Sequence, residues 1–304
     1  MLGEEAFSGL TVGRLEIVNS SSIRRISDTA FHSTRVLTLV LGGCSLERLT
    51  KASMRGVADS LRELVVANNT RRLILDPDVF ELFRLRRLVL ANDQLDDAGF
   101  LVGGDHDEIV LDNNDRLWTS TALTSSGRKR TRRLSLRNTS IASLSRTVDI
   151  SMFADAEELN LSFNKLGAVT ASELRQFDRL RALDLRNNSV DQLIGNFTSI
   201  LPRLDTVDLR NNRLETLPET SWRPLVERLK SAVLLDGNRL HFNCEMRWLA
   251  DQKNLALGPD AGGSFRCTAP VIQNASVQVI DVKTYILCFY KSLKNMFLIT
   301  EKYD

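Results

Sequence analysis

The stretch Leu204–Leu217, LDTVDLRNNRLETL, carries apolar residues at places 1, 4, 6, 11 and 14 and an asparagine, Asn212, at place 9. The arrangement returns as LRALDLRNNSVDQL from Leu180, AEELNLSFNKLGAV from Ala156, TRRLSLRNTSIASL from Thr131, LRRLVLANDQLDDA from Leu85 and VLTLVLGGCSLERL from Val36. The sixth-place residues are Ile17, Leu41, Val66, Leu90, Leu111, Leu136, Leu161, Leu185, Leu209 and Leu235, separated by 24, 25, 24, 21, 25, 25, 24, 24 and 26 residues. Ten units at so even a spacing are the signature of a solenoid built from one repeated supersecondary unit.

Places 4 and 6 alternate with polar neighbours, as in a short strand with one buried face. Stacked in parallel, such strands bury the leucines between units, and each unit is stable only beside its neighbours. An asparagine at place 9 can both donate and accept where the strand turns away, so Asn69, Asn114, Asn164, Asn188, Asn212 and Asn238 should form a ladder, with Cys44, Asp93 and Thr139 as buried substitutes. Phe31, Phe80, Phe177 and Phe197 recur before the next strand and should form an aromatic spine on the outer side. Together these features resemble the leucine-rich-repeat family over roughly Leu10 to Leu240. The resemblance implies an α/β solenoid, a horseshoe of about ten repeats with a concave parallel β-sheet.

Both ends depart from the repeat. Ala6–Leu10 reads as the close of a preceding unit, so residues 1–11 are expected to be a partial repeat and 12–240 the repeats proper. From His241 the chain reads HFNCEMRWLADQ, with Cys267-Thr268-Ala269-Pro270 and Cys288 beyond. This is similar to the cysteine-flanked C-terminal cap of secreted and cell-surface members of the family, expected over 241–288 with a tail at 289–304. Phe242 stands where the family has its first cysteine. The family's pairing implies a Cys244–Cys288 bond, and Cys244–Cys267 is the alternative. Trp248 is expected to plug the apolar edge of the last repeat.

Composition narrows the setting. The 304 residues carry 40 Lys and Arg against 38 Asp and Glu, a formal charge of +2, so neither nucleic acid nor an anionic membrane is an expected partner. The apolar tail Phe289–Ile299 is broken by Lys291 and Lys294, and Met1–Glu5 lacks the features of a secretory signal. The chain is therefore expected to be a fragment of a longer protein, attached to a membrane only through a segment outside it. Disulfide-forming caps belong to oxidising compartments. Seven Asn-x-Ser/Thr sequons among 19 asparagines, at Asn19, Asn68, Asn138, Asn160, Asn187, Asn196 and Asn274, also favour an extracellular glycoprotein. Asn160 is not expected to be used, because it lies within a concave strand.

The three histidines, His32, His106 and His241, are scattered, and no metal spacing, nucleotide loop or nucleophile motif occurs. No catalysis and no cofactor are expected. Asp105-His106-Asp107-Glu108 reads as a solvated strand edge rather than a metal site. Arg128-Lys129-Arg130 with Arg132 and Arg133 reads chiefly as solvated turn, with glycan binding as the functional alternative.

Binding is expected on the concave face, where places 3, 5, 7 and 8 project. Place 5 offers an exposed apolar strip, Val40, Val65, Val89 and Val110, followed by Asn160, Asp184 and Asp208, and place 7 adds Arg137, Arg186 and Arg210. Strands about 4.8 Å apart would give this face a length of roughly 43 Å, the scale of a protein partner. Binding through outer loops stays open. The expected role is a receptor or adhesion ectodomain recognising a protein ligand, with a secreted recognition factor for glycan or microbial surfaces as the alternative.

Overall fold

The computed structural model describes residues 1–118, 129–144 and 150–240, together with 246, 248 and 249. One ten-stranded sheet runs through the molecule in chain order: β1 Thr11–Val18, β2 Arg35–Gly42, β3 Glu63–Ala67, β4 Arg87–Ala91, β5 Glu108–Val110, β6 Arg133–Ser135, β7 Glu158–Asn160, β8 Ala182–Asp184, β9 Thr206–Asp208 and β10 Val233–Leu234. Each pairs in parallel with its neighbours at matched places, so Val40 faces Val65, Val65 faces Val89, and Asn160 faces Asp184. The repeat length sets this register: connections of similar length return every unit to the same height.

The strands shorten from β5 onward, and in β7 to β9 a local competitor accompanies the early stop. In β2 to β4 the strand runs through place 7, occupied by Gly42, Ala67 and Ala91. From β7 to β9 it stops at place 5, where Asn160, Asp184 and Asp208 turn their Oδ1 atoms back to accept the place-7 N–H of Ser162, Arg186 and Arg210 at 2.9, 3.1 and 3.1 Å. Short polar side chains compete in this way for backbone donors that a strand would otherwise use.

Beneath the sheet the sixth-place residues from Leu41 to Leu235 are at most 3 % exposed, and Phe31, Phe80, Phe177 and Phe197 at most 1 %. The ladder lies between them and the turn. Asn212 donates from Nδ2 to the carbonyls of Leu185 and Leu209, both at 2.9 Å, and its Oδ1 accepts from Val190 N at 2.9 Å. Asn164, Asn188 and Asn238 make the corresponding bonds, each tying one unit to the one before it. Thr139 keeps a single donor to Leu136 O at 2.9 Å, and Cys44 Sγ lies 3.7 Å from Ile17 O.

On the outer side the described connections are turns, short helical segments and two-residue strands, apart from one eleven-residue helix, Glu219–Leu229. It occupies the widest interval between units and buries Trp222, Leu225, Val226 and Leu229. Arg228 ties this helix to the preceding unit by donating to the carbonyls of Leu201 and Leu204 at 2.8 and 2.9 Å. Trp248 is 4 % exposed and donates from Nε1 to Leu217 O at 3.0 Å, so its ring closes over the last units. Cys244, Cys267 and Cys288, with both proposed pairings, lie outside the described residues, as does Asn274. At the opposite end Phe7 stacks on Phe31 at 5.8 Å, and Thr34 Oγ1 donates to Phe7 O at 2.7 Å.

Candidate recognition face

The sheet brings the expected residues together in two parallel rows, but the first half of the face is more closed than the spacing suggests. The valine strip is not an exposed row. Val40, Val65 and Val110 are half-buried, and Val89 is only 7 % exposed. In-register β-branched side chains shield one another across so narrow a strand spacing. A charged row at place 3 flanks them: Arg87 reaches Glu63 and Glu108, both at 3.1 Å, and Arg133 reaches Glu108 at 2.8 Å. Burial alone would raise the Glu108 carboxyl, but hydrogen bonds from Arg133 and Arg87 outweigh it and hold it below its ordinary value. The alternation Glu63, Arg87, Glu108, Arg133, Glu158 stands in the sequence at place 3 of successive units.

The second half is polar and indented. A hollow of about 350 Å³ opens on β5 to β10, floored where Ser135 and Ala182 are small. Glu108, Glu158, Asp184 and Asp208 line it against one cation, Arg133. Burial raises the Asp184 carboxyl above its ordinary value, opposed by the Arg186 N–H and guanidinium. Arg210 grips Asp208 with two nitrogens, Nε to Oδ1 at 2.9 Å and Nη2 to Oδ2 at 2.6 Å, and Arg186 Nε lies 3.1 Å from Asp184 Oδ2. The arginines are thus held upright by acids on their own strands. Arg137 differs. Its guanidinium lies 4.2 Å from the centroid of the Phe163 ring.

No family model matches the chain. A stretch of 106 residues is 29 % identical to leucine-rich repeat and fibronectin type III domain-containing protein 1 of zebrafish, Danio rerio, covering 32 % of this chain and 18 % of that relative. The chain thus spans well under two thirds of the relative's length. Among solved structures, human 5T4 (Wnt-activated inhibitory factor 1, trophoblast glycoprotein) superposes with a TM-score of 0.56 at 21 % identity, over 84 % of this chain and 88 % of that one. The leucine-rich-repeat protein LIC12759 of Leptospira interrogans gives 0.52 at 20 % identity, over 80 % and 59 %. The LRIM1/APL1C complex gives 0.56 at 15 % identity, over 96 % and 54 %. This chain is a leucine-rich-repeat solenoid.

The solenoid gives its asparagine-rich rim a backbone reason. Place 8, just past each strand, holds Asn19, Gly43, Asn68, Asn92, Asn113, Asn138, Phe163, Asn187, Asn211 and Gly237, and all ten have φ between +52° and +76°. Gly and Asn adopt this left-handed conformation most readily. Four sequons, Asn19, Asn68, Asn138 and Asn187, therefore arise where the turn already calls for asparagine, which weakens the excess count as a sign of glycosylation. Asn138 also donates from Nδ2 to Asn113 Oδ1 at 3.0 Å, using the nitrogen that a glycan would occupy. Asn196 is exposed, and its Oδ1 caps the helix Phe197–Ile200.

One other expectation changes on the leucine-rich-repeat frame. His106 is no solvated edge: it is 4 % exposed, accepts Leu85 N at 3.3 Å through Nδ1, and burial lowers its pKa to about 4. Its apolar place in the repeat takes it inside. The basic run keeps the solvated setting expected of it, but most of its described charges are engaged. Lys129 donates to the carbonyls of Val102 and Gly104 at 2.6 and 2.8 Å, Arg132 pairs with Asp107 and Arg133 with Glu108, while Arg130 is exposed and Arg128 lies outside the described residues. Among the described residues no group of three or more His, Cys, Asp or Glu is placed to hold a metal, and no helix is long and apolar enough to cross a membrane.

Proposed function

We propose that this solenoid is a non-catalytic recognition module that binds a protein ligand through the second half of its concave face, as part of a cell-surface receptor or adhesion protein. The observation that carries this reading is the fixed array of Asp184–Arg186 and Asp208–Arg210 pairs around an open hollow on a rigid sheet. Preorganised charges of both signs confer orientation and specificity on a protein interface. The engagement of Lys129, Arg132 and Arg133 with groups of the solenoid itself favours a protein over an anionic glycan as ligand. The name of the zebrafish relative joins such repeats to fibronectin type III domains, and one of the similar structures is a complex of two named components; both support a role in recognition. The extracellular setting draws on the cap motif around Cys244 and Trp248 and on the sequons that remain, Asn196 and Asn274 among them.

The test has two arms. The chain is expressed behind an added signal peptide, and intact mass is read with and without deglycosylation and thiol labelling. Glycan mass and protected thiols are expected; no glycan with four reactive cysteines would overturn the extracellular reading. The secreted chain is then screened against a panel of cell-surface and secreted ectodomains. Asp184→Arg should abolish any hit, whereas the outer-side control Ile74→Ser should not, and the opposite result would reject the concave face.

A further inference from the structure

Phe163 breaks the rule of its row. Nine of the ten eighth-place residues are asparagine or glycine, and Phe163 takes the same left-handed backbone with φ +60°. For a bulky side chain this conformation is strained, and strain of this kind persists where the surroundings impose it, often at functional positions. The ring is not recruited to the core, because the residue remains 41 % exposed. It lies on the rim of the concave face, with the Arg137 guanidinium 4.2 Å from its centroid.

Arg137 is also an exception in its row. Arg186 and Arg210 each have a carboxylate at 3.1 Å or less, whereas no described carboxylate lies within ion-pair distance of the Arg137 guanidinium. The nearby Asp112 spends Oδ1 on Ser135 Oγ at 2.6 Å and on the Arg137 backbone N–H at 3.1 Å. Arg137 Nε, like Arg186 Nε, is buried and without a hydrogen-bond partner, but only Arg186 has a carboxylate, that of Asp184, at 3.1 Å. The cation is thus oriented by an aromatic platform, partly desolvated, and left without a counter-ion. A planar guanidinium so prepared matches a carboxylate in two-point geometry, and arginine and aromatic side chains are those most enriched among residues that dominate binding energy.

On the footing that the concave face is the recognition surface, we propose that Arg137 and Phe163 form the docking point for an acidic segment of a protein partner. A partner Asp or Glu would take both free guanidinium nitrogens, and an adjacent apolar residue would lie on the open part of the Phe163 ring. Charge complementarity selects this occupant: a basic segment would meet an unpaired cation at the rim.

A display library of random short peptides, selected on the intact chain, supplies the probe. The expected winners carry Asp or Glu beside an apolar residue, and lose about tenfold or more in affinity on Arg137→Ala and on Phe163→Asn, but not on Ile74→Ser. Winners without acidic residues, winners indifferent to both variants, or no winners would overturn the docking point. If affinity instead falls on Asp184→Asn with Arg137→Ala silent, the concave reading stands and this proposal fails. If it falls only on Ile74→Ser, both fail. Thermal melting gives a ligand-free check: Phe163→Asn restores the residue that the row favours, and should raise the melting temperature by roughly 3 °C. A lower melting temperature would make the ring a structural prop and overturn the proposal.

Discussion

Units two to five and units six to ten share one backbone lattice but divide its work differently. In the earlier stretch the ladder is irregular, running Cys44, Asn69, Asp93, Asn114, and the concave face is closed by half-buried valines beside the Glu63–Arg87–Glu108–Arg133 ion-pair row. In the later stretch, past Thr139 in unit six, Asn164, Asn188, Asn212 and Asn238 repeat nearly the same bonds, and the face carries polar side chains around a hollow. A uniform interior tolerates a varied surface, because each rung satisfies backbone groups of its own unit and of the one before it. The contrast teaches that a hidden ladder shared between units leaves the face above it free to vary.

The sharpest way to break this contrast is to remove a regular rung. Asn212→Ala strands the carbonyls of Leu185 and Leu209 and the N–H of Val190, and should lower stability by about 4 kcal/mol in denaturant titration. Cys44→Ala, which loses only weak sulfur contacts, should be much milder. Equal losses would mean that the amides do not hold the later stretch together.

Asp93 tests the irregular side. It is fully buried with Oδ2 unpartnered, and burial raises its pKa to about 7 from 3.8. The folded state therefore holds a proton that the unfolded state has lost, and stability falls as pH rises from about 4 to about 7. Asp93→Asn supplies the missing donor and should stabilise the chain by about 3 kcal/mol above pH 7. His106 works in the opposite direction: its pKa falls from 6.5 to about 4, so the unfolded state binds the extra proton and stability rises with pH across that window. Between about pH 4 and 6.5 the two slopes cancel. Asp93→Asn should expose the histidine's slope, visible as a melting temperature that climbs with pH only in the variant.

Smaller effects refine the picture of the closed strip. Val89→Ser should cost about 1 kcal/mol and Val40→Ser distinctly less, in step with their burial; equal effects would mean that the strip is open. Glu108→Gln should cost under ~1 kcal/mol, and that loss should fade at high salt as expected for a half-exposed ion-pair network.

Much of this was legible in the chain. The period gave strand order and register, the ninth-place asparagines gave the ladder, and Trp248 gave the closing plug. What escaped depends on neighbours rather than on pattern. Val89 is hidden because Val65 and Val110 stand beside it in register. His106 is buried because the repeat leaves its place no other side to face. The helix Glu219–Leu229 had only a slightly longer interval to announce it, and Pro224 within it argued against a helix. Phe163 was visible as a letter, but its meaning required knowing that the eighth place turns left-handed.

That turn has a consequence for anyone comparing variants of this chain. The eighth-place residues sit at the surface, yet most substitutions there must adopt a backbone that they disfavour. A map of tolerated change would therefore mark the whole rim as invariant, and an invariant exposed stripe invites interpretation as a binding site. Here such a stripe would report stereochemistry. The informative position is the one where the stripe is interrupted.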